Sequence, residues 1–249
     1  MLDILTECSA LEFFVTDKSL PFDYPDLSYC CGNFMLIEGG WEKLNEYYLS
    51  SDQTRVNVTF PQQLARATPK RKAEFMAGRI CAMNAINELT GSVANVPINS
   101  DRSPAWPVGL VGSISHNSTQ AAAVVGYANR YLGLGLDLEG MIKDEDVASI
   151  APMILSADEC KLRPTRWNMN KFLTMAFSVK EALYKAIYPS TRQMIDFLDV
   201  RIDRLESEVV VLKMGNHVYK PNLGKNEFHV HYMIRDEVCL SLLALDACR

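Results

Sequence analysis

Positive charge is in short supply in this chain: 25 lysines and arginines stand against 30 aspartates and glutamates, a formal net charge of −5. A general nucleic-acid binder needs a net or clustered positive field to displace counterions from phosphates, so no nucleic-acid partner is expected. Any anionic ligand must meet a local basic patch. Pairing signals among the seven cysteines are missing too. Cys8, Cys30, Cys31, Cys81, Cys160, Cys239 and Cys248 are scattered, odd in number and without CxxC spacing, which argues against a disulfide framework and a zinc site. Reduced, mostly buried thiols are expected. Long apolar runs are absent: AAAVVGYA and VCLSLLALDAC fall far short of the roughly 18 to 20 residues that span a bilayer. The stretch MLDILTECSALEFF carries Asp3, Glu7 and Glu12 where a secretion signal needs a positive start and an unbroken apolar core. These absences point to a cytoplasmic chain, with peripheral membrane association left open.

What is present is a globular composition. Hydrophobic residues make up 48% and charged residues 22% of the 249, which rules against disorder, collagen and coiled coil. The length suits either one large domain or two lobes. Residues 1 to about 60 hold short strand-like runs such as YCCGNFMLIEG and no motif. From Pro69 to Leu89, PKRKAEFMAGRICAMNAINEL reads as a helix, with proline near its start and Thr90-Gly91 as its stop. A loop rich in Pro, Asn and Ser follows over 91–109. QAAAVVGYA, a turn at Asn129 and Arg130, and YLGLGLDLE then read as an antiparallel hairpin.

A helical region is expected from about Lys143 to Cys160, then a basic loop over 161–170. KFLTMAFSVKEALYKAIYP follows as a strong helix closed by Pro189. The strand-like segments DVRIDRLESEVVVL, EFHVHYMIR and EVCLSLLAL complete the chain. Each half therefore holds one long helix and a small set of strands. That order suits an α+β fold of two similarly built lobes, residues 1–130 and 131–249.

In GLGLDLEG, residues 133–140, an apolar and glycine-rich segment ends in two carboxylates. Alternate side chains of a strand share a face, so Asp137 and Glu139 point the same way with Cα atoms ~6.6 Å apart, a separation that suits one hard cation. An isolated DxE of this kind is usually a strand leaving the core. Glu181 and Lys185 in FSVKEALYKA lie four apart on one helix face, where by themselves they read as a weak surface ion pair. Together with the strand acids they supply three oxygen ligands for Mg²⁺ and a cation for a phosphate that the metal also touches.

KRKAEFMAGR places Lys70, Arg71, Lys72 and Arg79 on the first long helix. Arg71 and Arg79 would stand about 12 Å apart, too far to clamp one phosphate but suited to separate parts of a long polyanion. WPVGLVGSISH joins Trp106, Pro107 and several glycines to Ser113, Ser115 and His116 just before a strand, where glycines allow close backbone approach and hydroxyls and imidazole donate to phosphate. GSISH is not the GxSxG elbow of a serine hydrolase, so His116 reads as a phosphate ligand and not as a triad base.

The blocks KRKAEFMAGRICA, SPAWPVGLVGSISH, GLGLDLE and FSVKEALYKA, in this order over roughly residues 69 to 190, resemble the Sfp-type 4′-phosphopantetheinyl transferases, most closely the enterobactin synthase component D branch. The resemblance implies two pseudosymmetric lobes, each with a small, mostly antiparallel sheet and a long helix, with coenzyme A bound between them. It implies Mg²⁺-dependent transfer of the phosphopantetheine arm of coenzyme A to a serine of an apo carrier protein, releasing adenosine 3′,5′-bisphosphate. By motif position, Asp137, Glu139 and Glu181 would bind Mg²⁺. Glu181 would serve as base, directly or through a metal-bound water, and Lys185 would neutralise the pyrophosphate. Arg71, Arg79, Ser115 and His116 would hold the nucleotide end, His116 at the 3′-phosphate.

An acidic carrier domain would dock at Lys161, Arg163, Arg166 and Lys171, a stretch without one acid. The branch implies service to siderophore or other nonribosomal peptide or polyketide synthesis, and a monomer is expected. The sequence departs from the family in two places. Leu138 between the strand acids cannot coordinate, and VPINSDRSPAWP lacks a lysine carried by some relatives, leaving the part of Arg102 open. The rival readings are a metal-dependent hydrolase of the coenzyme A pyrophosphate and a noncatalytic module binding coenzyme A or a carrier protein. The second is disfavoured because converging acids beside a phosphate repel it unless neutralised.

Overall fold

The computed structural model describes residues 11–36, 46–49, 54–57, 61–215 and 226–247. Cys8, Cys248, the first ten residues and the end of YCCGNFMLIEG lie outside the described residues. The chain divides into two compact units, Met1–Tyr127 and Ala128–Arg249.

In the first unit, β1 (Leu11–Asp17), β2 (Ser28–Leu36), β5 (Leu110–His116) and β6 (Gln120–Tyr127) form an antiparallel sheet in the order β1-β2-β6-β5. β3 (Glu46–Leu49) and β4 (Thr54–Asn57) pair separately. Helix α1 (Pro69–Thr90) starts where the Thr68 hydroxyl accepts from the amide of Arg71, with proline at its first turn, and stops at Gly91, whose φ of 69° is costly for any residue with a Cβ. Between Ala73 and Ile86 it buries almost every side chain, and it packs Met76, Ala77, Ile80 and Met83 against Cys30, Ile114, Ala121, Ala123 and Val125 of the sheet. Helix and sheet come close at Gly78, where an added Cβ would sit 2.7 Å from the side chain of Ile114.

The second unit opens with β7 (Tyr131–Gly140), followed by α2 (Asp144–Ile154), α3 (Ala157–Cys160), α4 (Met169–Thr191), β8 (Val200–Leu205), β9 (Val209–Met214), β10 (Glu227–Arg235) and β11 (Val238–Asp246). Its antiparallel sheet runs β7-β11-β10-β9-β8. One face of the sheet carries Phe228, Val230, Leu243 and Leu245, and these bury Phe172, Met175, Val179 and Leu183 of α4. The architecture is α+β, one long helix on an antiparallel sheet in each unit.

Three local expectations are corrected. β6 and β7 do not form a hairpin: β6 lies inside its sheet with both edges taken by β2 and β5, and β7 pairs with β11. The hairpin is instead β5–β6, so LVGSISH, expected just before a strand, is itself one. Its turn is set by Asn117, whose side-chain oxygen accepts from the amides of Thr119 and Gln120. Lastly, Pro189 does not close α4. Proline removes one N–H, and so near a helix end α4 can run on to Thr191, where Arg192 at φ 52° caps it with an N–H to the carbonyl of Tyr188. Among the described residues, no helix is long and apolar enough to cross a membrane.

Candidate functional site

The expected site residues fall into two clusters, one in each unit. On β7, Gly133, Gly135, Asp137 and Glu139 share one face by strand alternation. The two glycines let the backbone of α4 lie directly on that face: a Cβ at Gly133 would sit 2.1 Å from the carbonyl oxygen of Ala186, and one at Gly135 only 1.7 Å from that of Ala182. This close docking sets Lys185 over Asp137. Its Nζ donates to Asp137 Oδ1 at 2.6 Å and to the carbonyl of Leu136 at 3.2 Å.

Asp137 is fully covered, and Glu139 and Glu181 are partly buried beside it. Burial, and then the Asp137 charge, push the Glu139 carboxyl up to about 8, against a partial offset by Lys185. Burial raises Glu181 as well, with Lys185 opposing and Asp137 reinforcing the shift. The strand register brings Ser241 opposite Asp137 and Cys239 opposite Glu139. Ser178 of α4 donates to Ser241 at 2.9 Å, entirely out of solvent. These hydroxyls beneath the acids escaped sequence reasoning, because only the pairing of β7 with β11 connects residues so far apart.

The donor chemistry of Asp137, Glu139 and Glu181, all carboxylate oxygen, fits a hard divalent cation such as Mg²⁺. The raised carboxyls show what such a charge would relieve. As the side chains stand, no group of three His, Cys, Asp or Glu among the described residues is gathered for a metal ion, and the Lys185 ammonium occupies Asp137 Oδ1.

In the first unit, α1 and the last residue of β5 bring Arg71 and His116 together, with Arg71 Nη1 2.9 Å from His116 Nε2. Glu74, which the motif reading passed over, lies 3.3 Å from the same Nη1 and 4.0 Å from the imidazole. Ile114 and His116 face α1. Alternation along β5 therefore turns Ser113 and Ser115, both buried, to the opposite face of the sheet, away from Arg71 and His116. Arg79 is buried, with its guanidinium 4.5 Å over the Phe75 ring and its Nε without a hydrogen-bond partner. Burial, helped by the Arg71 charge, brings its pKa down to about 10. Among the described residues no carboxylate pairs with it, which leaves a cation suited to an incoming anion. Arg102 is exposed at φ 70° in the 99–103 turn.

Beside Glu181, a cavity of about 130 Å³ is lined by Leu183, Tyr184, Ile187, Met194 and Phe197. Its walls are fixed by Lys180, whose Nζ donates to the carbonyls of Ile154 and Phe197 and pairs with Glu159 at 2.7 Å in the interior. Glu159 in turn accepts from Ser156 and from the amide of Ile202. In the basic stretch, Lys161 pairs with Asp158, Arg163 donates to the carbonyl of Trp167, and Lys171 lies over the Trp167 ring. Arg166 is exposed.

Residues 60–126 match the 4′-phosphopantetheinyl transferase N-terminal domain, and residues 133–240 match the 4′-phosphopantetheinyl transferase superfamily. Enterobactin synthase component D of Salmonella typhimurium is 41% identical over 126 residues, 50% of this chain and 51% of that protein. The Escherichia coli K12 enterobactin synthase component D is 31% identical over 185 residues, 74% of this chain and 82% of its own. The 4′-phosphopantetheinyl transferase PptT of Mycobacterium tuberculosis is 31% identical over 141 residues, 56% of this chain and 61% of that one. The chain thus spans about half the length of the Salmonella relative it matches.

Proposed function

This chain belongs to the 4′-phosphopantetheinyl transferase superfamily, and on that premise we propose that it transfers the 4′-phosphopantetheine group of coenzyme A to a serine of an apo carrier protein. The observation that carries the reading is the packing of α4 on the glycines of β7, which sets Lys185 on a buried Asp137 with Glu181 one helical turn away. In the reaction the serine Oγ bonds to the β-phosphorus, and the bond from that phosphorus to the oxygen bridging the two phosphates breaks. Adenosine 3′,5′-bisphosphate leaves with that oxygen and its charge.

Charge therefore grows on the bridging and equatorial oxygens, where positioning and electrostatics carry most of the catalysis. Lys185 supplies a fixed cation there. Glu181, one helical turn from Lys185, takes the serine proton, directly or through a metal-bound water. Mg²⁺, held by Asp137, Glu139 and Glu181, would add neutralising charge on the pyrophosphate when bound. In the first unit, Arg71, Arg79 and His116 hold the nucleotide end, His116 at the 3′-phosphate. Ser115, turned to the other face of β5, would serve a different part of the ligand. The cavity beside Glu181 offers apolar walls to the uncharged pantetheine chain.

The acceptor is an acidic carrier domain, met by Lys161, Arg163, Arg166 and Lys171. Siderophore synthesis is the pathway favoured, because the enterobactin synthase components are among the relatives. The test is the intact mass of a purified apo carrier protein after incubation with the chain, coenzyme A and Mg²⁺. A gain of about 340 Da, the mass of the transferred arm in this phosphoryl-transfer chemistry, is expected, and it should vanish with Asp137→Ala. Consumption of coenzyme A without any gain on peptidyl, aryl or acyl carriers would replace the transferase with a hydrolase.

A further inference from the structure

Glu74 is the one charged side chain in the Arg71–His116 cluster that the proposed mechanism leaves without a task. It sits three residues after Arg71 on α1 and is mostly covered, its side chain 13% exposed against 48% for Arg71. An exposed pair at this spacing is worth little, but this carboxylate is enclosed and faces a second element, with His116 at the end of β5. Arginine only donates. The imidazole Nε2 must therefore accept in its 2.9 Å contact with Arg71, while the same Nη1 also donates to Glu74 at 3.3 Å.

We propose that Glu74 is a positioning residue that holds the Arg71 guanidinium against His116, so that the two form one clamp for a terminal phosphate. The inference rests on the reading of His116 as the ligand of the 3′-phosphate. Without the carboxylate, a half-exposed arginine keeps, among the described residues, the His116 ring as its holder, and its remaining N–H groups lose their fixed direction. Glu74 also cancels one positive charge, so the cluster favours a phosphate placed to reach both groups over any nearby anion. Glu74 thereby sets selectivity for the phosphorylated ligand more than affinity for its adenosine end.

The experiment is calorimetric titration of the full chain, with Mg²⁺ present, against coenzyme A and against 3′-dephospho-coenzyme A. Wild type should prefer coenzyme A. Glu74→Ala should cut that preference about tenfold, the scale of a lost hydrogen bond between charged groups, and bring it toward that of His116→Ala. Glu74→Gln keeps an acceptor oxygen and should lose only part of it. This variant carries the test if the alanine variant does not fold. A Glu74 variant that weakens both ligands alike, or leaves their ratio at the wild-type value while His116→Ala lowers it, overturns the positioning role. A His116→Ala ratio equal to wild type instead overturns the assignment of His116 to the phosphate, and the inference with it.

Discussion

At the scale of the residue, the most informative group is Glu139. Burial and the Asp137 charge raise its folded pKa to about 8, above an ordinary value of 4.5. An acid shifted upward binds its proton more tightly in the fold than in the unfolded chain. Its contribution to stability is therefore complete below pH 4.5 and is lost as pH rises through about 8. With divalent cations removed, thermal melts should show the melting temperature falling across this interval, and Glu139→Gln should flatten the slope. If Asp137, Glu139 and Glu181 hold Mg²⁺ as proposed, the ion should raise the melting temperature more at pH 8 than at pH 6, because a carboxylate binds a cation in its ionised form. An unchanged slope in Glu139→Gln would place the pH-sensitive group elsewhere.

At the scale of the element, the decisive contact is backbone against backbone. A Cβ at residue 135 has nowhere to go, since the atom 1.7 Å away is the carbonyl oxygen of Ala182 inside α4. Gly135→Ala should destabilise the second unit by about 3 kcal/mol, the upper end of overpacking costs, and should lower turnover by lifting Glu181 and Lys185 from β7. Gly140 ends the same strand and has nothing within 4 Å of an added Cβ, so Gly140→Ala should stay within about 0.5 kcal/mol of wild type. Chemical denaturation of the two variants compares them directly. If both cost the same, close docking of α4 is not what the glycines are for.

At the scale of the whole molecule, a chain of net charge −5 would have to meet the proposed acidic carrier through a local cationic stretch. Lys161 is already tied to Asp158, and Arg163 and Lys171 are held against Trp167, which leaves exposed Arg166 as the cation to reverse. Arg166→Glu should raise KM for the carrier about tenfold at low salt, leave KM for coenzyme A unchanged and weaken the salt dependence of the carrier KM. Steady-state rates at several ionic strengths would show it, and a carrier KM indifferent to both salt and the variant would move the docking surface elsewhere.

The sequence by itself determined the local grammar. Proline after Thr68 and Gly91 bound α1, the alternation of GLGLDLE puts two glycines and two acids on one face, and the spacing of Glu181 and Lys185 puts both on one side of α4. These follow from the 2.0 and 3.6 periods of strand and helix, which a chain carries wherever it folds. Tertiary structure alone decided which edges meet. It paired β7 with β11, about a hundred residues on, instead of with its neighbour β6. It also set Glu74 beside His116 and brought Ser241, with Ser178 bonded to it, opposite Asp137. Strand pairing is fixed by which apolar faces can be buried together across the whole chain, and no local spacing encodes that choice.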